Sequence, residues 1–152
     1  MHRYTLQNLA IMLALMFSAT SFADGTANQD ERSMHVIRII IGERIINATL
    51  EDTLSSRNLM AQLPLSIDLE DYSSTEKIAY LPRKLATTGA PSGVDPDIGD
   101  IAYYAPWGNL AIFYGDFGYS RGLIRLGRIT AGLEHLSYAG SKPAKIELVP
   151  AD

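Results

Sequence analysis

The sequence predicts a mainly β domain: a closed eight-stranded antiparallel barrel with one main helix. Eight short segments show β-type alternation or buried apolar runs, and only one segment has convincing helical spacing. The chain has 152 residues, enough for one domain with an ordinary core. A closed barrel also removes exposed strand edges, which favours it over the alternative, a two-sheet sandwich.

The first predicted element is a hairpin rich in isoleucine. In His35–Ile41 the isoleucines at every second position alternate with Arg38, as expected for a strand with one buried face. Gly42 fits a tight turn, and Ile45–Leu50 forms the return strand.

The main helix is predicted over Thr53–Leu63. Asp52 or Thr53 can cap its first turn, and Pro64 ends it. The other predicted elements are the strands Leu65–Glu70, Glu76–Leu81, Ile101–Ala105, Asn109–Tyr114, Leu123–Ile129 and Ala144–Val149, with a short helical turn near Thr130–Leu136.

The first 23 residues have the composition of a secretory signal peptide. Leu9–Phe17 is an unbroken apolar run, and small residues at 21 and 23 suit a signal peptidase. We therefore expect a signal peptide over residues 1–23, a flexible leader over 24–34, a single domain over 35–150, and a periplasmic or secreted location. An uncleaved N-terminal anchor is the alternative.

Charge and cysteine content exclude several classes of function. Cleavage leaves 129 residues with 12 basic and 17 acidic side chains, because Arg3 is the only charged one lost, so the net charge is −5. This acidic balance argues against nucleic acid as a partner, and after cleavage we expect no membrane contact. The chain has no cysteine, which excludes thiol catalysis and cysteine-bound metals.

A long segment without apolar periodicity, Lys84–Asp100, contains three aspartates but no calcium loop of the EF-hand type. The position that requires glycine holds Asp100, and the position that requires glutamate holds Pro106. We predict no metal and no cofactor, with a metal site of another kind as the alternative. Loops of this length in compact domains are usually functional or disordered.

Aromatic residues are concentrated in Asp100–Gly122, and they predict an apolar groove. Adjacent strand residues face opposite sides, so one of Tyr103 and Tyr104 must point outward. The alternative is that these rings only fill the barrel, Phe113 among them, or pack beneath the long loop. The predicted ligand-binding residues are Tyr80, Arg83, Tyr104, Trp107, Phe113, Phe117, Tyr119 and Arg121.

No catalytic residue is predicted. Arg121 could anchor a carboxylate or a carbonyl, or could form a surface ion pair with Asp116, and Arg83 is a second donor of the same kind. A triad containing Ser92 and His135 has no support beyond residue type.

Two stretches of the sequence indicate a relationship to a known protein family. Gly99–Tyr114 (GDIAYYAPWGNLAIFY) and Ser120–Gly127 (SRGLIRLG) resemble the cyclophilin-like domain of small bacterial proteins. The resemblance covers roughly Val36–Val149 and implies a closed eight-stranded antiparallel barrel.

The resemblance carries little about activity. True cyclophilins are peptidyl-prolyl isomerases, but their Phe-His-Arg and Phe-Met-x-Gln-Gly-Gly-Asp segments have no counterpart here. We therefore expect an exported cyclophilin-like barrel of unassigned activity that binds a small molecule or a peptide segment at the aromatic groove. The alternatives are a divergent prolyl isomerase acting on periplasmic proteins, and a domain that docks another protein. The sequence predicts no oligomeric state.

Overall fold

The computed structural model describes residues 34–151, so the predicted signal peptide and nearly all of the leader lie outside the described residues. Within this range the chain forms a closed barrel of eight antiparallel strands and a separate two-stranded ribbon. The strands are β1 (His35–Ile41), β2 (Arg44–Leu50), β3 (Leu65–Tyr72), β4 (Glu76–Tyr80), β5 (Gly93–Val94), β6 (Asp100–Tyr104), β7 (Asn109–Phe113), β8 (Ser120–Arg121), β9 (Leu123–Ala131) and β10 (Ser141–Leu148).

The order of strands around the barrel is β1, β10, β3, β4, β7, β6, β9, β2, and every pairing is antiparallel. The predicted barrel and all eight of its strands are confirmed, with differences of a few residues at their ends. The sequence did not predict the ribbon, in which Gly93 pairs with Arg121 and Val94 with Ser120. Its strands are two residues long, too short for an alternating pattern.

Helix α1 spans Leu54–Met60, so it ends before the predicted Leu63. Thr53 is its N-cap, because the Thr53 hydroxyl accepts a hydrogen bond from the Ser56 backbone N–H at 3.1 Å. Leu59 is buried in the barrel core. A 3-10 helix covers Leu133–Leu136, within the predicted short turn. None of the helices in residues 34–151 is long and apolar enough to cross a membrane.

Strands β4, β6 and β7 are buried on both faces, unlike the half-exposed strand β3. Tyr103 points into the barrel, where its hydroxyl accepts a hydrogen bond from the Leu85 N–H at 3.2 Å. Phe113 belongs instead to a second apolar cluster on the outer face. The alternative that Phe113 fills the barrel interior is therefore wrong. The cluster comprises Ile78, Ala102, Ala111, Phe113 and Leu123.

The long loop is fixed to the barrel through Asp100, which is fully buried. Its carboxylate accepts hydrogen bonds from Arg125 Nε at 2.8 Å, Arg128 Nε at 3.2 Å and the Asp97 backbone N–H at 2.9 Å. Asp97 also pairs with Arg128 at 3.0 Å. Arginines thus pair with two of the three aspartates of this segment, Asp97 and Asp100. Residues 34–151 contain no group of three or more histidine, aspartate or glutamate side chains arranged to hold a metal ion.

Gly127 allows β2 and β9 to approach closely. A Cβ atom on this residue would lie 1.9 Å from the Thr49 carbonyl oxygen and 2.8 Å from Leu50 Cα. These are backbone atoms of the neighbouring strand, so they cannot move aside without separating the two strands.

We predict that Gly127→Ala lowers the free energy of unfolding by about 3 kcal/mol, at the upper end of the range for overpacked sites. The matched control is Gly118→Ala, because a Cβ there meets nothing within 4 Å. The control should stay within about 0.5 kcal/mol of the wild type in urea unfolding. Equal stabilities of the two variants would contradict the close approach.

Candidate functional site

A cavity of about 160 Å³ lies on the outer face of the barrel, over β4, β6 and β7. It sits above the outer apolar cluster, so its floor is built from the strands and its rim from the neighbouring turns. The lining residues are Tyr72, Glu76, Tyr104, Trp107, Asn109, Ala111, Phe113, Phe117, Ser120 and Leu123.

Strand register brings the floor residues together. Asn109, Ala111 and Phe113 occupy alternate positions of β7, so they share its outer face. Tyr104 lies directly opposite Asn109 on β6, and Glu76 lies directly opposite Phe113 on β4. The positions of these side chains are therefore set by the barrel itself.

Aromatic rings form the rim through edge-to-face contacts. Trp107, in the turn between β6 and β7, is half-exposed and meets Tyr104 at 5.4 Å between ring centroids and Tyr72 at 5.9 Å. Phe117, which follows β7, packs on Phe113 at 5.5 Å. Such ring pairs each contribute about 1 kcal/mol beyond burial, so they hold the rim in shape.

The Glu76 carboxyl group is the ionisable acid of this site. Glu76 is only 8% exposed, and no lysine, arginine or histidine of residues 34–151 lines the cavity to compensate its charge. Burial raises the pKa of Glu76 to about 7. At neutral pH the carboxyl group is therefore close to half protonated.

Asn109 supplies a second polar group to the floor. Its side-chain nitrogen donates to the Leu110 carbonyl at 2.9 Å, which fixes the orientation of the amide. Its side-chain oxygen is buried and has no hydrogen-bond partner among residues 34–151. A buried acceptor without a partner is uncommon in folded proteins, and it is a reason to look for a ligand.

The structure brings together four of the predicted ligand-binding residues: Tyr104, Trp107, Phe113 and Phe117 all line the cavity. The other four do not line it. Tyr80 lies at the end of β4 with 60% of its side chain exposed, and Arg121 is exposed on β8. Arg121 therefore contributes no positive charge to the cavity lining.

Arg83 and Tyr119 have other neighbours. The Arg83 guanidinium reaches the Ala61 carbonyl at 3.4 Å, at the end of α1. The Tyr119 hydroxyl lies 3.4 Å from the Ser92 hydroxyl, beside the ribbon. His135 instead contacts Arg44 at 3.1 Å, so Ser92 and His135 belong to different neighbourhoods.

Six of the residues that line the cavity were not predicted from the sequence, and Glu76 shows most clearly why. Its place beside Phe113 depends on the pairing of β4 with β7, which no local pattern specifies. One usable signal existed, since Tyr72 and Glu76 flank the short turn between β3 and β4 and must face each other. The missed residues are Tyr72, Glu76, Asn109, Ala111, Ser120 and Leu123.

A second ionisable cluster lies inside the barrel, at one end. The Lys77 side chain is fully buried, and its ammonium donates to Asp71 at 2.6 Å and to the Tyr138 carbonyl. The Tyr114 hydroxyl also donates to Asp71. These hydrogen bonds, that from Lys77 above all, lower the pKa of Asp71, while burial and the Asp71 hydrogen bond raise the pKa of Tyr114 to about 12. Lys77 and Asp71 thus neutralise each other within this cluster, unlike Glu76 in the cavity.

The comparison with known families decides where this barrel belongs. A model of the cyclophilin-like family matches residues 39–147, well over half of the chain. The chain belongs to the cyclophilin-like family. The resemblance found in the aromatic hairpin is thereby confirmed at the level of the family.

Solved structures support the fold of this cyclophilin-like protein. The solution structure of the hypothetical protein AF2241 from Archaeoglobus fulgidus matches it with a TM-score of 0.56 and 17% sequence identity. The match covers 80% of this chain and 99% of that chain. Identity this low shows the fold alone. No curated protein matches the sequence.

The raised pKa of Glu76 makes stability depend on pH. The folded protein binds the Glu76 proton more tightly than the unfolded chain does, because the pKa of Glu76 rises from 4.5 to about 7 on folding. The contribution of Glu76 to stability is therefore fully present at pH values below 4.5 and is lost as pH rises through about 7. Glu76→Gln cannot ionise and escapes this loss. We expect the free energy of unfolding of Glu76→Gln, relative to that of the wild type, to increase by about 1 to 2 kcal/mol between pH 5 and pH 8. This is less than the full pKa shift implies, because the cavity opens to water.

Urea unfolding at the two pH values measures this advantage. Glu70→Gln is the matched control, because Glu70 is exposed on β3 and does not line the cavity. The control should show no growing advantage. A constant difference between Glu76→Gln and the wild type would mean that Glu76 ionises normally.

Proposed function

We propose that this cyclophilin-like protein is an exported binding module that holds a small molecule or a peptide segment in the outer-face cavity. The aromatic lining is the observation that carries the proposal. Five rings, those of Tyr72, Tyr104, Trp107, Phe113 and Phe117, surround a space placed over an apolar floor. Apolar sites with a few fixed polar groups are typical of ligand binding.

The dimensions favour a small occupant. About 160 Å³ is below the 300 Å³ or so at which drug-sized pockets begin, and it suits one amino-acid side chain or a compact molecule. A peptide would therefore anchor one side chain in the cavity and lie with its backbone across the rim.

The lining chemistry favours binding over catalysis. Acid–base catalysis needs positioned groups that donate and accept protons, and nucleophilic catalysis needs an activated nucleophile. Among the lining residues Glu76 is the single carboxyl group, and Ser120 has no histidine beside it in the lining.

Export is the remaining part of the proposal, and it rests on residues 1–23, which lie outside the described residues. The apolar run Leu9–Phe17 and the small residues at 21 and 23 support a periplasmic or secreted location. The N-terminal residue of the mature protein tests it, with Asp24 expected.

We predict that Phe117→Ala weakens binding of a neutral apolar dye, N-phenyl-1-naphthylamine, about tenfold, the effect of losing roughly 1.4 kcal/mol of ring contact. Dye fluorescence on titration gives the affinity. Tyr80→Ala is the matched control, because Tyr80 is an exposed aromatic residue outside the cavity. Equal affinity for the wild type and Phe117→Ala would place the bound dye elsewhere.

Prolyl isomerisation is the second candidate function, and family membership together with the apolar cavity favours it. Rotation about an X–Pro bond has a barrier of about 20 kcal/mol, which an apolar site with a donor near the proline nitrogen can lower. However, neither Arg83 nor Arg121 lines the cavity.

For this reason we expect no acceleration of cis–trans exchange in Ala-Pro and Leu-Pro peptides by the purified protein. Acceleration that disappears in Trp107→Ala would contradict this expectation and assign the activity to the cavity. Acceleration that persists in that variant would indicate a contaminating isomerase.

A further inference from the structure

We propose that the group bound in the outer-face cavity is an alkylammonium ion, as found on a lysine side chain or a small aliphatic amine. The inference rests on the proposed binding function and specifies its ligand. Three features of the cavity carry it: a carboxyl group without a cationic neighbour in the lining formed by residues 34–151, a buried amide oxygen without a partner in the same range, and a surrounding set of aromatic rings.

The first feature is Glu76. A buried carboxylate is costly unless a positive charge or hydrogen-bond donors accompany it. Glu76 is more than nine-tenths buried, and burial is the cause of its raised pKa. In the part of the chain that the structure describes, no cationic side chain lines the cavity. A ligand that brings its own positive charge would form the missing ion pair.

The second feature is Asn109, which is 1% exposed. Its nitrogen is already bonded to the Leu110 carbonyl, and its oxygen is buried beside the cavity without a hydrogen-bond partner among residues 34–151. The amide oxygen accepts hydrogen bonds and cannot donate them. Glu76 and Asn109 therefore both offer acceptors, and an ammonium ion supplies three N–H donors.

The third feature is the aromatic wall. A cation is attracted to the face of an aromatic ring, most strongly to tryptophan, with a gain that increases when the site excludes water. Trp107 contacts both Tyr104 and Tyr72 edge to face at the rim of the cavity. Phe113 and Phe117 complete the wall, so the methylene groups of an alkyl chain also find apolar contacts.

Tyr72 and Tyr104 are the other titratable groups of the lining, and within residues 34–151 Glu76 is its single carboxyl group. The formal net charge of the chain, −4, also favours the approach of cations. A carboxylate or phosphate ligand would instead meet Glu76 with no basic side chain in the lining, so the same features disfavour anions.

Two matched probes test the inference: Nα-acetyl-lysine-N-methylamide and its norleucine analogue, which keeps the alkyl chain and lacks the charge. Trp107 is the only tryptophan of the chain, so its fluorescence reports occupancy of the cavity. At pH 8 we expect the lysine probe to bind at least tenfold more tightly than the norleucine probe. At pH 6 this preference should shrink as Glu76 becomes protonated, while the lysine ammonium stays charged.

Two variants show whether Glu76 is responsible for the preference for the lysine probe over the norleucine probe. Glu76→Gln should reduce the ratio of the two affinities to about one, and Glu70→Gln should leave it unchanged. Near-UV circular dichroism shows whether Glu76→Gln is folded, and if it is not, the pH dependence in the wild type decides. A third probe, n-butylammonium, distinguishes a free aliphatic amine from the lysine side chain of a peptide as the natural ligand. Affinity equal to that of the lysine probe indicates a free amine, and weaker affinity indicates a peptide.

The outcomes distinguish the two proposals. If norleucine binds as tightly as lysine, or if neither binds while N-phenyl-1-naphthylamine does, the cavity binds ligands without selecting ammonium and the inference is overturned. If the dye and all three amine and norleucine probes leave Trp107 unaffected, the proposed binding function itself fails.

Discussion

Burial of both faces of β4, β6 and β7 is the constraint on which this structure depends. The inward residues, such as Tyr103 and Ile112, fill a closed barrel. The outward residues, such as Ala111 and Phe113, are also apolar and need a cover that the barrel cannot provide. Val94 of the long loop and Phe117 after β7 supply part of this cover, and the cavity lies beside them on the outer face. The cavity thus follows from how the barrel buries its second face.

Buried ionic groups hold the cover and the barrel end in place. Asp100 joins the end of the long loop to two arginines of β9, and Lys77 joins β3, β4 and the segment after the 3-10 helix. Buried ion pairs contribute little net stability, since desolvation offsets much of the attraction, but removal of one partner is costly. Glu76 is the contrasting case, because no basic side chain of residues 34–151 accompanies it in the cavity lining.

The sequence predicts the barrel well because its strands are long enough to show alternation, and because the isoleucines of β1 mark an inner face. It predicts four cavity residues because aromatic density is a local property. It cannot predict which strands become neighbours, so Glu76 and Asn109 were missed although both are plainly visible in the chain. The same limit explains why Arg83 was wrongly expected at the groove: it follows a strand, but its guanidinium contacts the end of α1. It also explains why one alternative placed Phe113 on the inner face of the barrel.

The enclosure of Lys77 has a chemical consequence. Its ammonium is fully buried and lies over the ring of Tyr138 at 3.8 Å, whereas Lys84, Lys142 and Lys145 are exposed. An acylating reagent therefore reaches the three exposed amines at once and reaches Lys77 only when that end of the barrel separates. The slow appearance of acylated Lys77 in a mass spectrum records how often the closed barrel opens under native conditions, without any denaturant.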